Sequence, residues 1–189
     1  NTASSQGGAI NMEGTATSTA EIVNSTFSGN SAQYGGAIEN GLALTVSHST
    51  FAGNTSTAGS FNGTIDSYAG SLAITHSIFA NNTGRGINVT GGSVSNGGYN
   101  IYYNNSVALG GWTAAGTDKT TDPVLGTLQD NGGATPTMLP GSGSSAIDAG
   151  NPAISGAPAT DQRGGTRVSG SAIDIGAVEL VNDTTPVLG

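Results

Sequence analysis

An internal repeat constrains this sequence more strongly than any other feature. Three eleven-residue segments, at 20–30, 44–54 and 72–82, align with one another without gaps. In each of them aliphatic residues alternate with small or polar ones, and a phenylalanine and an asparagine follow at fixed offsets. Alternation with a period of two is typical of strands that have one buried face. Because the repeat is about as long as one turn of a solenoid, it predicts coils that stack through parallel strands.

Stacking of the coils would turn each column of the repeat into a ladder. We expect a phenylalanine ladder inside the coils and an asparagine ladder at the turn that follows it. The two ladders comprise Phe27, Phe51 and Phe79, and Asn30, Asn54 and Asn82. Stacked asparagines pass side-chain amide hydrogen bonds from coil to coil. Asparagine is also common in turns without any ladder, so the interpretation depends on the constant offset from phenylalanine.

These patterns predict an all-β fold, a single-stranded parallel β-helix (β-solenoid) of about seven coils that forms one structural domain from the 189 residues. Residues 1–109 would form the repeat coils. Residues 110–179 would continue them with a loop excursion and C-terminal coils, in a loop-rich second half, and residues 180–189 would be an extended tail. The second half repeats as well, with SAIDAG at 145–150 and SAIDIG at 171–176.

Charge and composition exclude several classes of function. The chain has 4 Lys and Arg against 12 Asp and Glu, a formal net charge of −8, so no basic surface can neutralise a nucleic-acid backbone. It has no cysteine for a disulfide or a zinc–thiolate site, and no apolar run long enough to span a bilayer. We therefore expect no nucleic acid, membrane span or cofactor. The acidic balance and the abundance of Ser, Thr and Asn favour an extracellular location.

Two aspartates occupy the same place in the second-half repeat. If Asp148 and Asp174 stack on adjacent coils, their carboxylates lie about 5 Å apart, which is the separation found in retaining glycosidases. Arg163 and Arg167 fall between them in the sequence, and a guanidinium can bridge two buried carboxylates. We interpret these four residues as a structural ion cluster, with a catalytic carboxylate pair as the alternative. No catalytic residue is predicted.

The repeat coils themselves contain few charges. These are Glu13, Glu21, Glu39, Asp66 and Arg85, which are scattered, with no paired carboxylates at matching offsets. His48 and His76 share a column, but Asn24 replaces them in the first repeat, and no metal site is predicted. Trp112 is expected to cover an exposed edge of the core, and a sugar-stacking platform is the alternative.

Two motifs of the repeat carry a resemblance to a known family. GGAI, at 7–10 and 35–38, is paired with FxxN, at 27–30, 51–54 and 79–82. This pairing resembles the repeat of chlamydial-type polymorphic outer-membrane proteins, which are surface-displayed right-handed β-helices, many of them regarded as adhesins. The third coil departs from the pattern, because GTID at 63–66 stands where GGAI would be expected.

The second half resembles the C-terminal part of bacterial β-helix proteins of the choice-of-anchor Q type. The matching stretches are GGYNI at 97–101, the long segment at 121–150, TDQRG at 160–164 and AIDIGAVE at 172–179. The resemblance implies a right-handed β-helix, secretion and a location on the bacterial surface. It implies no defined activity.

We therefore expect a non-enzymatic structural or adhesive protein of the bacterial surface or extracellular matrix. A sharper form of this hypothesis is that the chain polymerises end to end, because the strand edges of a β-helix are unpaired at its open coil ends and the tail at 180–189 could add to one of them. The expected partners are a second copy, head to tail, or a host or glycan surface. The alternative is a carbohydrate-binding or polysaccharide-degrading β-helix module.

Overall fold

The computed structural model describes residues 1–14, 17–58, 62–105 and 111–181. It confirms an all-β parallel β-solenoid: every strand pairs in parallel, and the described residues contain no helix and so none that could cross a membrane. The solenoid has about four turns. The prediction of seven coils was wrong, because the described residues beyond Tyr103 form isolated bridges and turns instead of further strands.

Each coil contributes strands to three parallel sheets. The first coil contains β1 (Ile10–Met12), β2 (Thr19–Val23), β3 (Thr26–Ser28) and the short β4 (Ser31–Ala32). The second contains β5 (Ile38–Asn40), β6 (Ala43–Ser47), β7 (Thr50–Ala52) and β8 (Thr55–Ser56). The third contains β9 (Gly63–Ser67), β10 (Ser71–Thr75) and β11 (Ile78–Ala80), and the fourth contains β12 (Arg85–Val89), β13 (Ser93–Asn96) and β14 (Ile101–Tyr103).

The three sheets enclose one hydrophobic core. The first sheet is β1-β5-β9-β12, the second is β2-β6-β10-β13 and the third is β3-β7-β11-β14; β4 pairs with β8 beside them. The first sheet buries Ile38, Ile65 and Ile87, and the second buries Leu44, Val46, Leu72 and Ile74. Because side chains alternate along a strand, the residue after each of these isoleucines points away from the core.

The phenylalanines of the repeat stack inside the third sheet. The rings of Phe27 and Phe51 are parallel, with centroids 4.8 Å apart, and Phe51 and Phe79 repeat the same arrangement. Tyr102 continues the stack in the fourth coil, at 5.5 Å from Phe79. The spacing equals the distance between hydrogen-bonded strands, so backbone pairing sets the distance between the stacked rings.

The asparagines of the repeat form a continuous hydrogen-bonded column. Asn30 Nδ2 donates to Asn54 Oδ1 at 2.9 Å, Asn54 Nδ2 to Asn82 Oδ1 at 3.1 Å, and Asn82 Nδ2 to Asn105 Oδ1 at 2.8 Å. Asn54 also donates to the carbonyl of Phe27 in the preceding coil, at 3.0 Å. The column therefore satisfies backbone groups at a buried corner as well as linking side chains.

Two corners of every coil require a left-handed backbone. At one corner the residues are Asn24, His48, His76 and Tyr99, with φ between 47° and 56°. At the other they are Gly29, Gly53, Asn81 and Asn104. Glycine and asparagine adopt this conformation at the lowest cost, so the glycines of the FxGN motifs serve the same purpose as the asparagines of the later coils.

The second half packs against the outside of the solenoid. Ile175 and Ala146 cover Ile78 and Ile101, which face outward from the third sheet. Gly176 N–H donates to the His76 carbonyl at 2.9 Å. At the fourth coil, the backbone of β14 pairs with Lys119. Residues 144–180 therefore form an irregular cover over the third sheet.

Candidate ligand site

Two carboxylates stand side by side on the outer face of the first sheet. Glu39 of β5 and Asp66 of β9 are register partners, as are Ile38 and Ile65 beside them. Since both isoleucines are in the core, both acids point outward, about one strand spacing apart. The expectation that the coils hold only scattered charges was therefore wrong.

The two acids interrupt a column of asparagines. The residue that follows the core isoleucine is Asn11 in β1, Glu39 in β5, Asp66 in β9 and Asn88 in β12. Asn88 Nδ2 donates to Asp66 Oδ1 at 3.0 Å, and Arg85 Nη1 donates to Asn88 Oδ1 at 2.7 Å. Asp66 is thus linked through Asn88 to a cation.

Within the part of the chain that the structure describes, Glu39 lacks a comparable hydrogen-bond donor. It is 3% exposed, and its Oε2 is buried and accepts no hydrogen bond from the described residues. Burial, and to a smaller extent the charge of Asp66, raise the pKa of Glu39 to about 7. Burial also raises the pKa of Asp66, although hydrogen bonds from Asn88 and Gly63 and the charge of Arg85 oppose the change. At neutral pH Glu39 is therefore partly protonated.

The carboxylates lie at the bottom of a cleft of about 310 Å³, which we name the tyrosine cleft. Its lining consists of Gln6, Tyr34, Glu39, Asn62, Asp66, Tyr68 and Thr90. Tyr34 and Tyr68 are 41% and 42% exposed, in contrast to the buried acids. A Cβ added to Gly41 would lie 2.7 Å from Cζ of Tyr68, so the ring rests against the bare backbone of that glycine. The cleft combines exposed aromatic faces with amide, hydroxyl and carboxylate groups.

A larger cleft, of about 640 Å³, opens at the end of the first coil. It lies between Phe27 and residues of the second half, including Leu128 and Gln162. The described residues that line it include no Asp, Glu or His. The cleft therefore offers space beside Phe27, at one end of the phenylalanine stack, but its described lining offers no acid or imidazole for catalysis.

The predicted ion cluster has a different arrangement from the one expected. Hydrogen bonds join Ile175 N–H to the Ala146 carbonyl and Gly150 N–H to the Ile173 carbonyl, so the two AID segments meet in opposite directions and do not stack as successive coils. Asp174 Oδ1 accepts a hydrogen bond from the backbone N–H of Asp148 at 2.7 Å. Asp148 and Asp174 are thus neighbours, but the hydrogen bond that joins them runs from a backbone N–H to a carboxylate.

The arginines also have other partners than expected. Arg163 and Asp161 form the one side-chain ion pair between described residues, with 3.0 Å between Nε and Oδ2. Arg167 is 1% exposed and donates from Nη2 to the Gly176 carbonyl. Glu179 completes the cluster: its carboxylate accepts from the N–H groups of Ser169 and Asp174. The sequence analysis missed Asp161 and Glu179, because capping of irregular backbone has no fixed sequence period.

Electrostatics within this cluster are consistent with a structural role. Burial lowers the pKa of Arg167, opposed by the charges of Glu179, Asp161 and Asp174. Burial raises the pKa of Glu179 to about 7. Burial would also raise the pKa of Asp161, but hydrogen bonds from Glu179 N–H and Arg163 outweigh it and hold that pKa low. In this irregular segment, carboxylates accept hydrogen bonds from backbone N–H groups that have no partner strand.

The remaining candidates are packed as parts of the solenoid. Trp112 is 6% exposed and belongs to the main core cluster, so its rings offer little surface for a sugar. His48 and His76 stack at 5.0 Å, and burial lowers their pKa values to about 3 and about 4. No group of three or more His, Cys, Asp or Glu that could hold a metal occurs within the described ranges.

Comparisons with protein-family models, with curated proteins and with solved structures give no match. The function of this chain is therefore inferred from the geometry of its own residues.

Proposed function

We propose that this protein is an extracellular, surface-associated adhesive β-solenoid that binds a glycan in the tyrosine cleft. The observation that carries the proposal is the pair of exposed tyrosines beside a recessed polar surface. Ligand sites of this kind combine apolar faces with a few polar groups that fix orientation. Sugars present both an apolar C–H face and a rim of hydroxyls, so they match such a surface.

Several features of the cleft suit a sugar more than a peptide or a nucleic acid. Tyr34 and Tyr68 offer ring faces for stacking, while Glu39, Asp66 and Asn62 offer acceptors for hydroxyl groups. The net charge of −8 opposes polyanionic ligands. The resemblance of the GGAI and FxxN motifs to surface-displayed adhesins supports the same proposal.

Loss of the tyrosine rings is the first test. We expect Tyr34→Ala and Tyr68→Ala each to weaken glycan binding about tenfold, the effect of removing one well-placed aromatic contact. A glycan array identifies a ligand for the wild-type chain, and calorimetry then compares the variants. Val94→Ala, at an exposed apolar residue of the second sheet, is the matched control and should bind normally. Equal binding by all four proteins would contradict the assignment of the cleft.

Polysaccharide cleavage is a second candidate, favoured by the Glu39–Asp66 pair. Two carboxylates about one strand spacing apart, one of them with a pKa of about 7, match the general acid and the nucleophile of a retaining glycosidase. The glycan that the array identifies as a ligand is used as the substrate in this test. Release of reducing ends by the wild-type chain, lost in Asp66→Asn, would favour cleavage, and an intact glycan would favour adhesion.

End-to-end polymerisation stays a prediction. The edges of β14 and β4 already pair with Lys119 and Thr2, whereas β1, β2 and β3 of the first coil have an open edge among the described residues. The cleft beside Phe27 lies at that same edge. The tail at 182–189 lies outside the described residues. Among the described residues, β12 and β13 of the fourth coil also lie at the edges of their sheets, so both ends of the solenoid offer strand edges to a second copy.

A further inference from the structure

We propose that Glu39 and Asp66 bind a divalent cation, with calcium as the best match, at the bottom of the tyrosine cleft. This site stands independently of any glycan. Glu39 Oε2 is a buried acceptor without a hydrogen-bond donor among the described residues. Buried polar atoms nearly always have a partner, and an unpaired one is costly. A ligand that supplies positive charge would remove this cost.

The charge balance of the site leads to the same conclusion. Asp66 receives a hydrogen bond from Asn88, which in turn accepts one from Arg85. Among the described residues, Glu39 has no equivalent hydrogen-bonded link to a cation, although it is the register partner of Asp66. Two adjacent buried carboxylates repel one another when both are ionised. A bound cation would let both ionise together.

The available ligand atoms indicate which cation fits. The cleft offers the carboxylates of Glu39 and Asp66, the side-chain carbonyls of Gln6 and Asn62 and the hydroxyl of Thr90. Asn62 Nδ2 donates to the Ala58 carbonyl at 3.2 Å, so its oxygen is the atom left for a ligand. Six to eight oxygen ligands in flexible geometry are the usual environment of calcium. With neither sulfur nor imidazole in the lining, zinc and copper fit poorly.

Water or sugar hydroxyls would complete the coordination. The cleft of about 310 Å³ has room for an ion and several waters beside the tyrosines.

Terbium luminescence and thermal unfolding test the site directly. Tb³⁺ replaces calcium and emits when neighbouring tyrosines are excited, so the wild-type chain should show tyrosine-sensitised emission that calcium displaces. Calcium should also raise the unfolding temperature. Glu39→Gln, which keeps the shape of the side chain, should bind calcium at least about tenfold more weakly. Glu13→Gln, at an exposed carboxylate that directly follows β1 in the first coil, should behave as wild type.

Controls separate this site from the glycan proposal and from loss of folding. Asp66→Asn provides a second variant if Glu39→Gln does not fold, and circular dichroism checks both. The Tyr34→Ala, Tyr68→Ala double variant should keep the calcium-dependent rise in unfolding temperature although it loses glycan. An unfolding temperature of the wild-type chain that does not change on addition of calcium would overturn the proposal. So would equal calcium binding by wild type and by both carboxylate variants.

Discussion

Replacement of Asn54 by alanine is expected to lower the free energy of unfolding by about 3–5 kcal/mol. Asn54 is fully buried, and its side chain makes four hydrogen bonds. The substitution leaves the backbone N–H and the amide of Asn30, as well as the carbonyl of Phe27, without this partner. Each unsatisfied buried group costs about 1–3 kcal/mol, with partial relief from water that enters the corner. Urea unfolding followed by circular dichroism measures the loss.

Asn30→Ala is the matched control, because Asn30 ends the same column. Its amide donates to Asn54 and its Oδ1 accepts from the N-terminal ammonium at 3.2 Å. We expect a loss of about 1 kcal/mol. If Asn54→Ala cost no more than Asn30→Ala, the asparagines would be independent turn residues, and the cooperative column would be refuted.

Replacement of Arg167 by methionine is expected to cost about 3–5 kcal/mol at neutral pH. Arg167 is 1% exposed and lies in the field of Glu179, Asp161 and Asp174. Methionine fills a similar volume but leaves these carboxylates buried without their central positive charge. The second half should loosen first, since residues 144–180 are held by this cluster. Hydrogen exchange, which reports opening segment by segment, should show faster exchange there than in the coils.

The loss should be smaller at pH 5 than at pH 7. Glu179 has a pKa of about 7 in the folded protein, so at pH 5 it is protonated and gains little from Arg167. Arg163→Met is the control, because Arg163 pairs with Asp161 at a more exposed position, and we expect a loss of about 1–2 kcal/mol. Equal losses for the two arginines, unchanged between the two pH values, would show that Arg167 contributes through packing alone.

The periodic part of the fold could be predicted from the sequence. Strand pairing carries each side chain of one coil directly onto its equivalent in the next, so equal offsets in the repeat become ladders in space. The stacks of Phe27, Phe51 and Phe79 follow from this rule. The number of coils could not be read in the same way. The AID segments are similar in sequence, but they meet in opposite directions as part of the cover over the third sheet.

The carboxylate pair was missed because the repeat shortens by one residue. From Phe51 to Phe79 the spacing is 28 residues, but from Ile38 to Ile65 it is 27. An alignment on the phenylalanines therefore places Asp66 beside Ile38. A local signal was present nevertheless, since an acid follows a core isoleucine in both GGAIE and GTID. The burial that raises the pKa of Glu39 depends on side chains from several coils, and no sequence pattern reports it.

The feature on which the proposed sites depend most is the burial of Glu39 and Asp66 side by side in one cleft. Carboxyl ¹³C NMR of Glu39 during a pH titration in calcium-free buffer tests it most directly. We predict a pKa of about 7 for Glu39, which falls in Asp66→Asn but stays above the ordinary value of 4.5 because burial is the larger cause. A Glu39 pKa near 4.5 in the wild-type chain, unaffected by Asp66→Asn, would contradict the pairing and the cleft built on it.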